Sequence, residues 1–532
     1  MENADNYRPE SVWISPKDDE KLRSELIKEF SMHPVTAQVL VSRNFETISQ
    51  VHQYLYAQLH DLHDPHLLSG MDRAVNRVIK AIQEGETLLI YGDNDVDGIT
   101  GTALLVDYLR EVGADVHYYI SNRSILRQSI FLDALEFAIQ HECKLMITVD
   151  CGVTAAPEIK LFVEKGIDVI VTDHHEPTEE IPDCVATLNP KLFDSPYPNR
   201  ELTGVGVAFK FVHALSLAPS SGKFDQNPEI DLKKYLDLVA LGTVADMGVL
   251  LGENRILVRY GLQALQSTRR IGLLKLMKIA EIEEGEVRSY DISTKIAPRL
   301  NSLGRIDRDP MKGVELMLLE DEHEAALLAD ELDKSNKHRQ VVERSVFQDV
   351  EKMIEENPAL LNERALVLWS DNWHSGVIAI ISARLVKMYN RPVAILAIDN
   401  RVAKGSLRTI REFPLLPPLN ENADLLLNYG GHDYAAGLTL RQRDLEEFKR
   451  RFIAAANARL TDEVIQPKIA IDSEVLFSDL TYDFLESIQL LEPFGNENSA
   501  PILCCEVRQA WAPKVIGKSH LRMYLEKNDR IL

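Results

Sequence analysis

Three carboxylates stand within five residues, at Asp93, Asp95 and Asp97, directly after the apolar run 87–91. Charges of one sign held this closely repel one another unless a cation lies between them. Carboxylate oxygens are hard ligands of the kind that Mg²⁺ and Mn²⁺ prefer, whereas Zn²⁺ sites use more nitrogen and sulfur. The spacing therefore predicts a divalent-metal site just after a buried strand.

Two simpler interpretations of this segment stay open. Alternate acidic residues followed by Gly98 also begin a calcium-binding EF-hand loop, but that loop needs a glutamate at its twelfth position. Counted from Asp93, this position is Leu104. The acidic residues are also compatible with a plain turn that binds nothing. The residues after Gly98 have the apolar character of a helix that packs on a sheet, which favours the metal site.

Apolar runs alternate with stretches of helical spacing in this part of the chain, which predicts a parallel sheet covered by helices. The predicted strands are 87–91, 115–120, 145–149 and 168–172, and the predicted helices are 100–112, 131–140 and 155–165. Ligands of such sheets bind at the carboxyl ends of the strands. The residues that follow each strand are therefore the candidates for chemistry.

Acidic and imidazole side chains recur at these strand ends. Asp150 follows the third predicted strand, and Asp173, His174 and His175 follow the fourth. Capping of the next helix is the alternative role for Asp150 or for Asp173 taken singly. Three clusters after three strands together favour a shared metal site.

Asp246 closes a further apolar run of helical spacing, 235–245. A carboxylate at the end of so apolar a segment needs a partner. Metal ligation would provide one, and an ion pair with Arg255 is the alternative.

The composition is that of an ordinary globular protein, with 532 residues of which 45% are hydrophobic and 27% charged, and the length favours about two to four domains. We expect a cytoplasmic protein, because no apolar run approaches the ~20 residues that cross a bilayer. The first residues also lack the features of a signal peptide. Five cysteines without a CxxC pair argue against a disulfide framework and against a zinc ribbon.

The net charge of −23 means that a nucleic acid would have to be met by a local basic surface or by the metal. Residues 255–312 hold 12 Lys or Arg against 7 Asp or Glu. This excess fits such a surface, and it fits a solvated helix face equally well.

A second alternating segment begins with the predicted strands 365–369 and 392–397, and it contains two glycine-rich segments, 403–408 and 429–432. We interpret both as turns. Glycines let a backbone approach an anion closely, and a serine and an arginine such as Ser406 and Arg408 would complete a phosphate grip.

The order of these motifs resembles the DHH phosphoesterase superfamily and, within it, the RecJ family of single-strand-specific 5′→3′ DNA exonucleases. The motifs that carry the resemblance are 93–98, 148–152, 173–175, 242–246 with 252–255, and 430–432 with 435–437. Further similar segments are 203–208, 297–301 with 304–305, and 373–378. The ordered match extends from about residue 35 to the end of the sequence.

The resemblance implies an α/β fold in which a parallel-sheet DHH catalytic lobe and a DHH-associated α/β lobe are joined by a long helix, with a small C-terminal OB-like β module. The implied boundaries are 1–75 for an N-terminal helical segment, 76–314 for the catalytic domain, 315–358 for the connecting helix, 359–460 for the DHH-associated domain and 461–532 for a partial OB-like domain. Because the last module looks short, we expect either a fragment or a reduced module.

The resemblance also implies two Mn²⁺ or Mg²⁺ ions and the residues that serve them. The implied metal ligands are Asp93, Asp95, Asp97, Asp150, His174 and Asp246, with Asp150 as the bridging ligand. His175 would act with Asp150 and His174 in catalysis, beside the scissile phosphate. The implied substrate contacts are Arg123, Arg305, Ser406, Arg408, Gly430, Gly431 and His432.

The main departure from the family pattern is Gln128, which stands where relatives place a tyrosine. A base-stacking contact is therefore in doubt, and Arg127 is the candidate substitute.

The function implied by the resemblance is a single-stranded-DNA-specific 5′→3′ exonuclease of DNA repair and recombination that releases mononucleotides by two-metal hydrolysis. We expect a monomer without membrane association, and the expected partners are single-stranded DNA, a single-strand-binding protein and a helicase. Two alternatives stay open. One is a DHH oligoribonuclease or cyclic-dinucleotide phosphodiesterase, and the other is a catalytically inactive replication scaffold.

Overall fold

The computed structural model describes residues 10–120, 127–218, 230–283, 285–304, 309–517, 520–527 and 530–531, with the backbone alone for 127–130 and 530. The chain divides into two compact units. The larger unit comprises Lys17–Ser335 and Asp472–Leu532, and the smaller unit comprises Met1–Pro16 and Asn336–Ile471. Among the described helices, none combines the length and the apolar character needed to span a membrane.

Helices precede the sheet of the larger unit, as the sequence predicted. After the short strand β1 (Val12–Ile14) they are α1 (Glu20–Phe30), α2 (Pro34–Ser42), α3 (Ile48–Tyr56) and α4 (Met71–Glu84). Side-chain caps fix three of the starts, since Asp19, His33 and Thr47 accept hydrogen bonds at the starts of α1, α2 and α3. Apolar residues of α1 to α3 share a core cluster with Leu491.

Five parallel strands form the sheet of the larger unit, in the order β3-β2-β4-β5-β6. The strands are β2 (Thr87–Gly92), β3 (Asp115–Ile120), β4 (Leu145–Val149), β5 (Asp168–Thr172) and β6 (Ala186–Leu188), and the helices between them are α5 (Val96–Glu111), α6 (Arg127–Gln140) and α7 (Ala156–Glu164). The predicted parallel sheet is confirmed. The prediction missed β6, because three residues are too few to show a period.

Apolar helices complete the larger unit. They are α8 (Gly204–Leu217), α9 (Leu236–Ala245), α10 (Gly252–Gln266), α11 (Ile271–Ile279), α12 (Ser289–Asp291), α13 (Ala297–Ser302) and α14 (Met311–Leu318). Helices α8 and α9 both pack against α5 and are buried on most sides. A helix that is apolar all round belongs in such a place.

Arg255 of α10 ties separate segments of the larger unit together. Its guanidinium donates hydrogen bonds to the carbonyl of Tyr54 and to three carbonyls in the segment 490–492, and it lies 3.8 Å from the centre of the Tyr54 ring. The proposed ion pair between Arg255 and Asp246 is therefore wrong, because backbone carbonyls take up the guanidinium.

Helix α15 (Glu322–Glu356) has 35 residues, and the boundary between the two units falls inside it. The helical run expected from residue 315 is interrupted between α14 and α15. The interruption lies at Asp321, whose carboxylate accepts hydrogen bonds from the backbone N–H groups of His323 and Glu324. An aspartate in this position starts a new helix.

The smaller unit contains a mixed five-stranded sheet in the order β10-β11-β9-β8-β7. Its elements are β7 (Leu366–Ser370), α16 (Ile378–Tyr389), β8 (Val393–Asp399), β9 (Val402–Arg408), α17 (Leu416–Glu421), β10 (Leu426–Gly431), β11 (Ala435–Arg441), α18 (Leu445–Arg459), α19 (Asp462–Ile465) and β12 (Lys468–Ala470). Only β7 and β8 pair in parallel within the described part of this sheet. β12 pairs in parallel with β1.

The interpretation of 403–408 as a turn is wrong, because these residues lie in the central strand β9. Gly405 serves packing there. A Cβ at this position would lie 2.9 Å from Leu438 Cδ1 and 3.0 Å from Leu396 Cδ2. Residues 429–431 likewise end a strand, β10, and only Gly431, with φ of +140°, marks a bend.

The C-terminal part of the larger unit is a small β module that also contains a helix. Its elements are β13 (Ser473–Glu474), α20 (Tyr482–Gln489), β14 (Leu503–Cys504), β15 (Arg508–Ile516), β16 (His520–Lys527) and β17 (Arg530–Ile531). β15, β16 and β17 form an antiparallel sheet. All five cysteines of the chain are free thiols.

Candidate metal centre and phosphate site

Strand β2 delivers the first acidic cluster to the carboxyl edge of the sheet. Asp95 is the N-cap of α5, and its Oδ1 accepts hydrogen bonds from the backbone N–H groups of Asp97 at 3.1 Å and Gly98 at 3.3 Å. Asp93 and Asp97 are buried. Since α5 begins at Val96, the twelve-residue loop that the calcium alternative requires is not formed.

Strand β4 delivers Asp150 in an unusual conformation. Its φ is +60°, in the left-handed region that side-chain-bearing residues rarely adopt, and such strain is often found at functional sites. Asp150 caps no helix in the described structure, because α7 has Ala155 as its N-cap and lacks a side-chain cap. The capping interpretation of Asp150 is therefore wrong.

Asp173, at the end of β5, orients the two histidines that follow it. Its carboxylate accepts hydrogen bonds from the backbone N–H groups of Val153, His174 and His175, and it lies 2.7 Å from His175 Nδ1. Burial alone would raise the pKa of Asp173, but these hydrogen bonds and the nearby imidazoles lower it to about 2. Asp173 is thus ionised. Its carboxylate orients the two histidines instead of capping a helix.

His174 lies among three carboxylates. Its Nε2 is 3.0 Å from Asp150 Oδ1, 3.6 Å from Asp246 Oδ2 and 3.8 Å from Asp97 Oδ2. Burial and the charge of His175 lower the pKa of His174 to about 3. A neutral imidazole in this position has the protonation state that a metal ligand needs.

Ligand atoms gather here in three overlapping groups whose members lie within 4.8 Å of one another. The groups are Asp93 with Asp95 and Asp150, Asp97 with His174 and Asp246, and Asp150 with His174 and His175. Asp150 and His174 each belong to two groups. The structure thus brings together all six residues that the resemblance implied as ligands.

The electrostatics of the cluster fit a bound cation. Burial and then the charges of neighbouring carboxylates raise the pKa values of Asp97 and Asp150 well above the usual range, and raise that of Asp246 to about 7. Among the described residues, Asp150 Oδ1 and His174 Nε2 find no hydrogen-bond partner although both are buried. Divalent cations would reduce the repulsion between the carboxylates and would give these two atoms a partner.

Three family models match parts of this chain. The family described as "DHH family, N-terminal domain" matches residues 87–243, the "DHHA1 domain" matches 362–462, and the "RecJ OB domain" matches 471–532. The single-stranded-DNA-specific exonuclease RecJ of Haemophilus influenzae is 33% identical over 93% of this chain and 87% of its own length. The chain belongs to the RecJ family.

The chain covers a smaller share of other RecJ relatives. The RecJ exonuclease of Bacillus subtilis is 36% identical over 97% of this chain, which spans 64% of that relative. The Thermus thermophilus RecJ solved with Mn²⁺ has a TM-score of 0.83 and 28% identity, covering 98% of this chain and 73% of its own. The same protein solved with Mg²⁺ gives 0.75 and 27%, with 98% and 72% covered.

The residues expected to bind phosphate in the smaller unit lie on one face of its sheet. Ser406 and Arg408 are two residues apart on β9, so their side chains share a face. The strand register sets Gly437 opposite Ser406 and Gly430 opposite Gly437. A Cβ at Gly430 would meet nothing within 4 Å, and one at Gly437 only a carbonyl oxygen at 3.9 Å. The glycines leave open space beside Ser406.

Arg408 donates hydrogen bonds to its own strand. Its Nη1 donates to Ser406 Oγ at 3.3 Å and to the Leu407 carbonyl at 2.8 Å. In the described part of the chain no carboxylate pairs with it. Gly431 and His432 are exposed at the end of the same strand pair, where the His432 N–H donates to the Ala435 carbonyl.

Two expected RecJ substrate contacts, Arg123 and Arg305, lie outside the described residues, and so do the side chains of Arg127 and Gln128. The residue before Arg305 is described. A Cβ at Gly304 would lie 3.0 Å from the Asn94 carbonyl oxygen. Gly304, the residue before Arg305, therefore lies next to the acidic segment 93–98.

The basic segment 255–312 is in large part structural. Besides Arg255, many of its cations pair with acids of the larger unit, namely Arg270 with Asp107 and Asp237, Lys275 with Glu322, Lys295 with Asp291, Arg299 with Asp333, and Lys312 with Glu331. For these residues, internal pairing replaces the expected basic binding surface.

Sequence reasoning missed the glycines that enclose the acidic cluster. Gly204 contacts Asp150, and Gly242 contacts Asp97. Their only signal in the sequence was membership of the motifs 203–208 and 242–246.

Proposed function

We propose that this chain is a metal-dependent exonuclease that degrades single-stranded DNA from the 5′ end and releases mononucleotides. The observation that carries the proposal is the overlap of three ligand groups through Asp150 and His174 at the carboxyl edge of the sheet. Such an overlap suits two ions acting on one phosphodiester. The RecJ relatives of Bacillus subtilis and Haemophilus influenzae are named as single-stranded-DNA-specific exonucleases.

The acidic cluster would hold two Mn²⁺ or Mg²⁺ ions. Their ligands would be Asp93, Asp95, Asp97, Asp150, His174 and Asp246, with Asp150 shared between them. Ions in such a site lower the pKa of water and stabilise the attacking and leaving oxygens of an in-line displacement at phosphorus, so that no protein nucleophile is needed.

Asp173 would set the protonation of the two histidines beside the metal site. Burial would lower the pKa of His175, but the hydrogen bond to Asp173 and its charge raise it to about 9. Asp173 is ionised and can only accept, so Nδ1 of His175 carries a proton. A ring N–H directed at the substrate would stabilise charge that develops on the phosphate oxygens. His174 stays neutral and ligates.

The glycine-lined face of the smaller unit would hold the 5′-terminal phosphate. Ser406 and Arg408 would bind its oxygens, and Gly430, Gly431 and His432 would line the strand end beside it. A guanidinium binds a terminal phosphate through two parallel hydrogen bonds, which gives specificity as well as affinity. Arg123 and Arg305 would contribute further backbone contacts.

We expect Arg408→Ala to weaken the preference for a 5′-phosphorylated end by about tenfold, since one charge-assisted bond contributes about 1.5–3 kcal/mol. Binding of a long strand should change much less, because internal phosphates do not need this residue. The measurement is the ratio of initial rates on 5′-phosphorylated and 5′-hydroxyl single strands.

Arg443 provides the matched control, because its side chain is exposed and belongs to the same unit. Arg443→Ala removes the same charge and should leave the ratio unchanged. If Arg408→Ala slows both substrates equally, Arg408 does not bind the terminal phosphate.

The substrate class is tested with one sequence in single-stranded and duplex form, digested in Mn²⁺ and again after chelation. We expect mononucleotides from the single strand alone, and only with metal. Equal digestion of short oligoribonucleotides would instead favour the oligoribonuclease alternative.

The proposed location of the activity is the cytoplasm. Free thiols throughout the cysteine set fit the reducing cytoplasm. A single-strand-binding protein and a helicase are the partners to test by co-purification, and size-exclusion chromatography tests the expected monomer.

A further inference from the structure

The N-terminus of α8 contacts the buried carboxylate of Asp97. The backbone N–H of Gly204 donates to Asp97 Oδ2 at 2.6 Å, and that of Val205 donates to Asp97 Oδ1 at 2.8 Å. The Asp97 side chain has no exposed surface. Both of its oxygens therefore have directions fixed by the first two amides of a helix, whose dipole favours a negative charge at this end.

Gly204 also lies against Asp150. A Cβ at position 204 would lie 2.6 Å from Asp150 Cβ and 2.8 Å from its Oδ1, closer than real Cβ contacts. Asp150 has little freedom to yield, because its backbone is already in the left-handed region and its Oδ1 lies 3.0 Å from His174 Nε2. Only glycine at 204 leaves Asp150 where it is.

Gly242 of α9 limits the position of Asp97 further. A Cβ there would lie 2.9 Å from Asp97 Oδ1 and 2.4 Å from Thr100 Oγ1. Asp97 is thus held by two amides of α8 and confined by α9. The segments 203–208 and 242–246 meet at the same carboxylate.

We propose that Gly204 is a positioning residue, which sets the separation of Asp97 and Asp150 so that two divalent cations bind together. This inference rests on the two-ion site of the proposed function. Gly204 acts through the two carboxylates, by donating its N–H to one and by leaving room for the other. Any other residue at 204 except proline keeps the N–H but brings a Cβ that displaces Asp150.

The test measures Mn²⁺ binding to the DNA-free chain by isothermal titration calorimetry. We expect Gly204→Ala to bind Mn²⁺ at least ten times more weakly than the wild type, and we expect raised Mn²⁺ to restore part of its exonuclease rate. Gly206→Ala is the matched control in the same helical turn. Its Cβ would meet Leu202 Cδ2 at 3.3 Å and Thr203 Oγ1 at 3.4 Å, so it should bind Mn²⁺ as the wild type does.

Equal Mn²⁺ affinities of Gly204→Ala and the wild type would overturn the positioning role alone. A wild-type chain that binds no Mn²⁺ would instead refute the proposed function, so the two failures are distinguishable.

Thermal unfolding without metal decides the case in which Gly204→Ala folds poorly. If the new methyl group strikes Asp150, the loss in Tm should be much smaller when Asp150→Gly is already present, because the double variant removes the colliding atoms. Glycine at residue 150 also suits the positive φ of that residue. Equal losses of Tm in the two backgrounds would contradict the contact on which the inference depends.

Discussion

We expect Asp150→Ala to lower the rate of single-stranded DNA hydrolysis in Mn²⁺ by at least about a hundredfold. Asp150 belongs to two of the three ligand groups, so in the proposed two-ion site its loss would remove a ligand that both ions share. Loss of a two-ion site should cost several kcal/mol in the transition state, at ~1.4 kcal/mol per tenfold. The measurement is the initial rate of mononucleotide release at saturating Mn²⁺.

The fold should survive this substitution. Removing one of several crowded, buried carboxylates relieves repulsion in the metal-free chain, and we expect an unchanged or raised Tm. Asp183→Ala is the control, since Asp183 is an exposed aspartate of the same unit and should keep full activity. A folded Asp150→Ala enzyme with more than about a hundredth of the wild-type rate would refute the shared-ligand role.

A buried ion pair away from the acidic cluster should contribute strongly to the free energy of unfolding. Lys210 Nζ lies 3.1 Å from Glu253 Oε1, and both side chains are almost fully buried. Glu253 also accepts hydrogen bonds from the His63 N–H at 2.8 Å and the Tyr197 hydroxyl at 2.7 Å. We expect Glu253→Ala to lower the free energy of unfolding by about 3–5 kcal/mol, because it leaves a buried ammonium without its partner.

Urea unfolding followed by circular dichroism measures this loss. The exposed pair Lys80–Glu84, at 3.9 Å, supplies the control, and Glu84→Ala should cost at most about 0.5 kcal/mol. The double variant Glu253→Leu with Lys210→Met should recover much of the lost stability, because it buries no unpaired charge. A double variant as unstable as Glu253→Ala would show that packing, not charge, controls this site.

The sequence was most informative where local rules decide the structure. Buried parallel strands are continuous apolar runs, so β2, β3, β4 and β5 were predicted to within one residue. The rule that ligands bind at strand ends then selected Asp93, Asp150 and His174. No three-dimensional information was needed to bring these residues to one edge of a sheet.

The sequence was least informative where distant segments decide a residue's role. Gly405 was interpreted as a turn residue, because nothing local shows that Leu396 and Leu438 close over it. An ion pair of Arg255 with Asp246 was the alternative to metal ligation, although the partners of Arg255 are the carbonyls of residues 54 and 490–492. Gly204 has no local signal beyond its place in the motif 203–208, since its constraint comes from Asp150.

The most direct test of the central claim is digestion of one single-stranded oligonucleotide that carries a label at its 5′ end in one sample and at its 3′ end in another. In Mn²⁺ we expect labelled mononucleotide at the earliest times from the 5′-labelled strand, and progressively shortened labelled strands from the 3′-labelled one. Both products should disappear after chelation and in Asp150→Ala. Early release of mononucleotide from the 3′ label, or no metal-dependent release from either end, would contradict a 5′→3′ two-metal exonuclease.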